Sequence, residues 1–282
     1  MSTPRVAAIH DLSGFGRCSL TVALPILSVM GVQCCPLPTA FLSTHTGGFE
    51  GFTFLDMTDE MPKVAAHWKS LDLRFQAIYS GFLGSARQID MVADFIRGFR
   101  EADTVVVIDP VMGDHGQVYQ TYTSAMCSGT ARLAELADVI TPNLTEAALL
   151  LGLSYDALPA GERGCLEIAE RLSLDGRRSV VVTGASAAPD LTGAACFDAQ
   201  TGQSQMIQTR RVPREFHGTG DVFASVLTGA LTQGKSLPEA AREAVEFIRL
   251  CGERTAAQGL PMREGVDFEP LLGLLVPGND SL

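Results

Sequence analysis

Thr104-Val105-Val106-Val107-Ile108-Asp109-Pro110-Val111 is the stretch on which the fold turns. β-Branched residues run from Thr104 to Ile108 with no polar alternation, so neither face of the segment is meant for water. A parallel strand covered by helices on both sides has this pattern. Asp109 and Pro110 then end the run, leaving a carboxylate at the strand terminus.

The same alternation of apolar run, polar turn and helical stretch extends outward in both directions. Upstream lie a strand over 6–12 ended by Ser13-Gly14-Phe15-Gly16, a helix over 18–30, and a strand over 32–38 weakened by its prolines. A polar loop over 41–49, a helix over 58–71, a strand over 77–84 and a helix over 88–100 capped by Ser85 follow. Downstream, helices are predicted over 123–137, 145–151 and 161–174, with strands over 139–140 and 179–184. An antiparallel hairpin spans 194–209, and helices over 222–233, 238–257 and 268–275 complete the pattern. Strands alternating with helices predict an α/β fold with a mainly parallel central sheet and a small antiparallel addition. Ligands of such sheets sit outside the carboxyl ends of the strands. Asp11, Ser80, Asp109, Asn143 and Thr183 are therefore expected along one edge.

The 282 residues are 46% hydrophobic and 19% charged, which suits a large core and a single domain over 1–282. A formal net charge of -11 argues against nucleic acid or an anionic membrane as partner. Seven scattered cysteines fit reduced thiols, and neither a signal-like N-terminal segment nor a long apolar run is evident. A cytoplasmic protein is the expectation.

Gly218-Thr219-Gly220-Asp221 precedes an apolar helix. A glycine turn opening a helix presents unpaired N–H groups and the positive end of the dipole, a site for phosphate. Asp221 beside it would repel phosphate unless it takes a proton from an attacking hydroxyl. Taken alone, the motif reads equally as a helix cap. Asp109 and Asp114, with Glu146 one helical turn from Asn143, supply hard oxygens of the kind Mg²⁺ uses when shared with nucleotide phosphates. Their other reading is a turn and a capping box. Thr183-Gly184 could touch a phosphate or end a strand. Arg210 and Arg211 could supply positive charge or be a solvated pair. Gly229 to Ser236 matches the P-loop pattern but follows a helix, so it reads as a helix end and the next cap.

The ordered set D-P-V-M-G-D (109–114), T-P-N-x-x-E (141–146), V-T-G (182–184) and G-T-G-D-x-F (218–223) resembles the ribokinase-type, PfkB-like kinase superfamily. S-T-H-T-G (43–47) and Y-S-G-F-L-G (79–84) bring it nearest the pyridoxal kinase branch, over residues 6–257. The resemblance implies a ribokinase-like three-layer fold and ATP-dependent phosphorylation of a hydroxymethyl group on a vitamin B6 ring. It implies Asp221 as base and Gly218, Thr219 and Gly220 as the anion hole. Asp109, Asp114 and Glu146 would organise Mg²⁺. Asn143, Thr183 and Thr219 would meet nucleotide phosphates, with Arg211 adding charge. Thr46 and Phe82 would contact the ring, with Tyr119 on a flap above. Such kinases commonly form homodimers and often use a monovalent cation such as K⁺. The segment His10-Asp11-Leu12-Ser13-Gly14-Phe15-Gly16 departs from the branch and is nearer to hydroxymethylpyrimidine kinases. A ring contact at His10 or Asp11 is the matching expectation, and a buried strand-end histidine is the other reading of His10. The rivals are a hydroxymethylpyrimidine or dual-ring kinase and, from another class, a non-catalytic sensor.

Overall fold

The computed structural model describes residues 3–214 and 216–278. The chain enters through β1 (Arg5–Ser13), α1 (Leu20–Val29), β2 (Gln33–Leu42) and the short β3 (Phe54–Asp56). It continues through α2 (Met61–Ser70), β4 (Ala77–Ser80), α3 (Ala86–Phe99) and β5 (Val105–Ile108). Next come the small β6 (Gly113–Asp114) and β7 (Gln117–Val118), then α4 (Ser124–Ala134), β8 (Val139–Ile140), α5 (Leu144–Leu151) and α6 (Gly161–Leu172). β9 (Ser179–Ala185), β10 (Leu191–Asp198) and β11 (Gln203–Arg210) precede α7 (Thr219–Thr232) and α8 (Leu237–Gln258). A 3₁₀ turn at Met262–Glu264 and a 3₁₀ helix at Glu269–Leu275 follow.

Nine strands of the described residues form one sheet in the order β11-β10-β9-β8-β5-β4-β1-β2-β3. The six strands from β9 to β2 in that order run parallel, so their carboxyl ends share one edge. β10, β11 and β3 are antiparallel additions, and β6–β7 is a separate two-stranded ribbon. In β5, Val107 joins Ile26, Val226 and Phe247 in the core under α1, α7 and α8, while Val106 and Ile108 join Val92, Phe95 and Ile168 on the other side. This double burial is why the strand carries no polar alternation. The layered fold is the ribokinase-like arrangement the motifs predicted.

Three local departures have simple causes. β2 runs on to Leu42 despite Pro36 and Pro38, because β3 pairs only with residues 40–42 and leaves the proline stretch open on its outer side. β3, β6 and β7 are two or three residues long and exist through pairing rather than local pattern. The last predicted helix is 3₁₀, with Pro270 and Gly273 inside it. The P-loop lookalike is a helix junction: Gly234 stands at φ +88° after α7, and Ser236 and Glu239 form the capping box of α8.

Candidate active site

Gly218 caps α7 in the left-handed region at φ +74°. A Cβ there would lie 2.0 Å from the Arg17 carbonyl oxygen, so the turn after β1 and the start of α7 meet at a distance only glycine permits. No side chain caps this terminus, and Gly220 is open to solvent. The first N–H groups of α7 are therefore available to an anion. Asp221 lies half-buried in the first turn. Burial raises its carboxyl to about 7, against the pull of the Ser19 backbone N–H, and the nearby Asp11 raises it further.

The mid-chain acids face the same volume. A Cβ on Gly220 would stand 4.0 Å from Asp109 Oδ2. Asp109, buried just past β5, is held well above the usual carboxylate range by burial, then by Glu146, then by Asp221. Glu146 is buried at the start of α5 and is raised by burial to about 7. Its Oε1 accepts from the Met112 N–H at 3.0 Å and its Oε2 from the Asn143 N–H at 2.9 Å. Val111 sits at φ +33°, an unusual backbone for a β-branched residue, in the turn that presents Met112 to Glu146. Asp114 lies on β6 with its side chain 53% exposed and accepts from the His115 N–H.

The predicted trio Asp109, Asp114 and Glu146 is thus not a ready-made chelating cluster. Among the described residues no three His, Cys, Asp or Glu side chains gather at metal spacing. Glu146 is occupied as a cap that ties two loops, and Asp114 stands out on the ribbon. The donors still suit Mg²⁺, which keeps most of its waters and takes few carboxylates. Asp109, burdened by two neighbouring carboxylates, is the residue that would hold it, with Glu146 behind.

Toward β9 the sequence expectations are partly redirected. Asn143 caps α5: its Oδ1 accepts from the Glu146 N–H at 3.0 Å, and its Nδ2 donates to the Gly113 carbonyl at 2.9 Å. Its amide is largely committed to joining loops, which leaves one N–H for a phosphate. Thr183 is half-buried at the end of β9, bridged to Asn143, with the exposed Gly184 next to it at φ +71°. Arg211 is exposed just past β11, and the hairpin returns it to the carboxyl edge of the sheet.

Toward β1 and β2 lies the other half of the site. His10 is fully buried, its ring edge-on to Tyr79 at 4.2 Å and pressed against Gly81. Burial lowers it to about 3, so it is a neutral wall residue. Its surroundings match the reading of a buried strand-end histidine. Asp11 is 5% exposed, at a break in the β1–β2 register. Its oxygens accept from the Ser13 hydroxyl at 2.8 Å and the Ser19 hydroxyl at 2.6 Å. Asp11 thereby ties Ser13 to Ser19. Thr46 is exposed on the loop after β2, and Phe82 packs near Tyr122 with ring centroids 6.1 Å apart. Tyr119, 39% exposed beyond the β6–β7 ribbon, lies within electrostatic range of Glu146, Asp114, Asp109 and Asp221. Ser13 and Ser19 were missed by motif reading. Ser19, at φ +50°, serves Asp11 with its hydroxyl and Asp221 with its N–H.

Comparison with known proteins places this arrangement. The family model described as phosphomethylpyrimidine kinase matches residues 24–264. A hydroxymethylpyrimidine/phosphomethylpyrimidine kinase of Streptomyces coelicolor is 29% identical over 94% of this chain and 93% of its own. A candidate phosphomethylpyrimidine kinase from Bacteroides thetaiotaomicron, solved with pyridoxal, is 44% identical with a TM-score of 0.91 over 97% of this chain and 96% of that one. The pyridoxal kinase of Lactobacillus plantarum is 32% identical with a TM-score of 0.89, covering 97% of each chain. With the fold, the open helix start and the converging carboxylates already in place, the chain belongs to the phosphomethylpyrimidine kinase family, in the pyridoxal kinase branch of the ribokinase-type kinases.

Proposed function

We propose that the protein is an ATP-dependent kinase that phosphorylates the hydroxymethyl group of a vitamin B6 vitamer, with Asp221 as the base. The observation that carries the reading is Asp221 beside an uncapped, glycine-started helix terminus and within electrostatic range of Asp109. The acceptor hydroxyl gives its proton to Asp221 as its oxygen attacks the γ-phosphorus of ATP, and the bond from that phosphorus to the bridging oxygen breaks to release ADP. The N–H groups at Gly218, Thr219 and Gly220 hold the transferred group. Mg²⁺ when bound neutralises charge on the nucleotide phosphates, and Asp109 is the residue placed to hold it. Thr183, the remaining Asn143 N–H and Arg211 serve the nucleotide end, while Thr46, Phe82 and Tyr119 enclose the acceptor ring. Pyridoxal in the Bacteroides structure favours a B6 ring. The phosphomethylpyrimidine description of the family and of the Streptomyces relative, with the Ser13-Gly14-Phe15-Gly16 turn, supports hydroxymethylpyrimidine as the second reading.

ATP consumption measured side by side with pyridoxal, pyridoxine, pyridoxamine and hydroxymethylpyrimidine tests this. The expected result is the highest kcat/KM with a B6 vitamer. Turnover of hydroxymethylpyrimidine alone would transfer the assignment to the second reading, and no consumption with any ring would remove both.

A further inference from the structure

The turn at Met262–Glu264 contains no residue of any motif, yet its three successive carbonyls accept hydrogen bonds from three separate segments of the site. The Met262 carbonyl accepts from the His217 N–H at 3.3 Å, just ahead of the anion cradle. The Glu264 carbonyl accepts from the Arg17 N–H at 3.1 Å, in the turn after β1. The Arg263 carbonyl lies 2.7 Å from His45 Nε2, in the loop that carries Thr46. His45 Nδ1 accepts from the Gly47 N–H at 3.0 Å, so the ring is neutral and Nε2 carries the hydrogen. The guanidinium of Arg263 covers the Phe49 ring of the same loop at 5.1 Å. The turn is itself anchored: Asp267 bonds Arg17 at 3.0 Å and Arg254 of α8 at 2.7 Å, and its N–H donates to the Thr255 hydroxyl at 2.8 Å.

We propose that this turn is the positioning element of the site and that His45 is the latch seating the acceptor loop, residues 43–49, upon it. The base of the loop is held independently, because Ser43 and Thr53 bond each other. The latch therefore governs residues 44–49, including Thr46, and not the nucleotide end, which lies across the sheet at β8 and β9. His45 does not touch the reacting atoms; it acts through the loop.

Three variants separate a latch from a local turn. H45A removes both bonds. H45N keeps an acceptor for the Gly47 N–H but does not reach Arg263. H45Q keeps a donor that reaches the Arg263 carbonyl. By hydrogen–deuterium exchange, amides of residues 44–49 should exchange about tenfold faster or more in H45A and H45N, with H45Q near wild type and α7 unchanged in all three. In kinetics, where the inference rests on the proposed kinase activity, acceptor KM should rise about tenfold in H45A and H45N, ATP KM should stay within about twofold, and H45Q should recover most of the loss. Unchanged exchange in H45A, or a loop protected as well by Asn as by Gln, overturns the latch. A wild-type protein that phosphorylates none of the rings would defeat the functional reading, and the exchange result would still decide this one.

Discussion

Asp221 joins two properties that pull against each other. Burial lifts its carboxyl to about 7, where a base at neutral pH is most useful. The active form is the deprotonated one, so kcat should rise with pH through about 7 and then level off. Asp221→Asn should cut kcat by about 10²–10⁴-fold while nucleotide affinity survives; near-normal turnover would remove the base assignment. The same residue carries a stability signature. Its folded pKa exceeds the unfolded value of about 3.9, so the folded state holds the proton more tightly. Stability is lost as pH rises from about 4 through about 7, and Asp221→Asn should unfold at higher denaturant than wild type at pH 8. Gly218→Ala should abolish most turnover, because its methyl would lie 2.0 Å from the Arg17 carbonyl at a positive φ. Asp109 and Asp221 were legible in the sequence because each follows a strong local signal, a buried strand or a glycine turn. Ser13 and Ser19 were not, because a serine that clamps a carboxylate has no local pattern, and the choice between the two readings of His10 depends on Tyr79 and Gly81, which are distant in sequence.

At the scale of elements, what could be read was what local chemistry dictates. β5 announces its burial on both faces, and α8 announces its start through Ser236 and Glu239. β3, β6 and β7 are decided by partners rather than by their own residues, so the ribbon bearing Asp114 and leading into Tyr119 looked like loop. The segment after α8 was equally opaque, because its contribution is made by backbone carbonyls and any residue has one. Its anchoring is testable by stability. Asp267 is buried between Arg17 and Arg254, so Asp267→Ala takes the carboxylate from Arg254 and leaves Arg17 with Glu269 alone. A loss of about 1–3 kcal/mol in chemical denaturation is expected. A change below about 1 kcal/mol would mean that the pair is worth no more than an exposed one.

For the whole molecule, parallel strands put the proposed acceptor and nucleotide ends on one edge, with β1 and β2 at one side, β8 and β9 at the other, and Asp109 and Asp221 between them. The chain carries a net charge of -11 and gathers carboxylates at this midpoint, so an uncomplexed nucleotide meets repulsion there. ADP at about a hundred times its Kd should stabilise the protein by about 2.7 kcal/mol with Mg²⁺ present. Chelating the metal at the same ADP concentration should remove most of the accompanying rise in Tm, and an equal rise in EDTA would exclude the metal from nucleotide binding. The seat formed by residues 262–264 has a practical consequence for anyone trimming the gene. A version ending with α8 would retain every motif quoted from the sequence, and should still be a poor enzyme. Recognisable motifs and a complete site therefore part company at residue 258, and any shortened version of the chain should extend at least through Glu269.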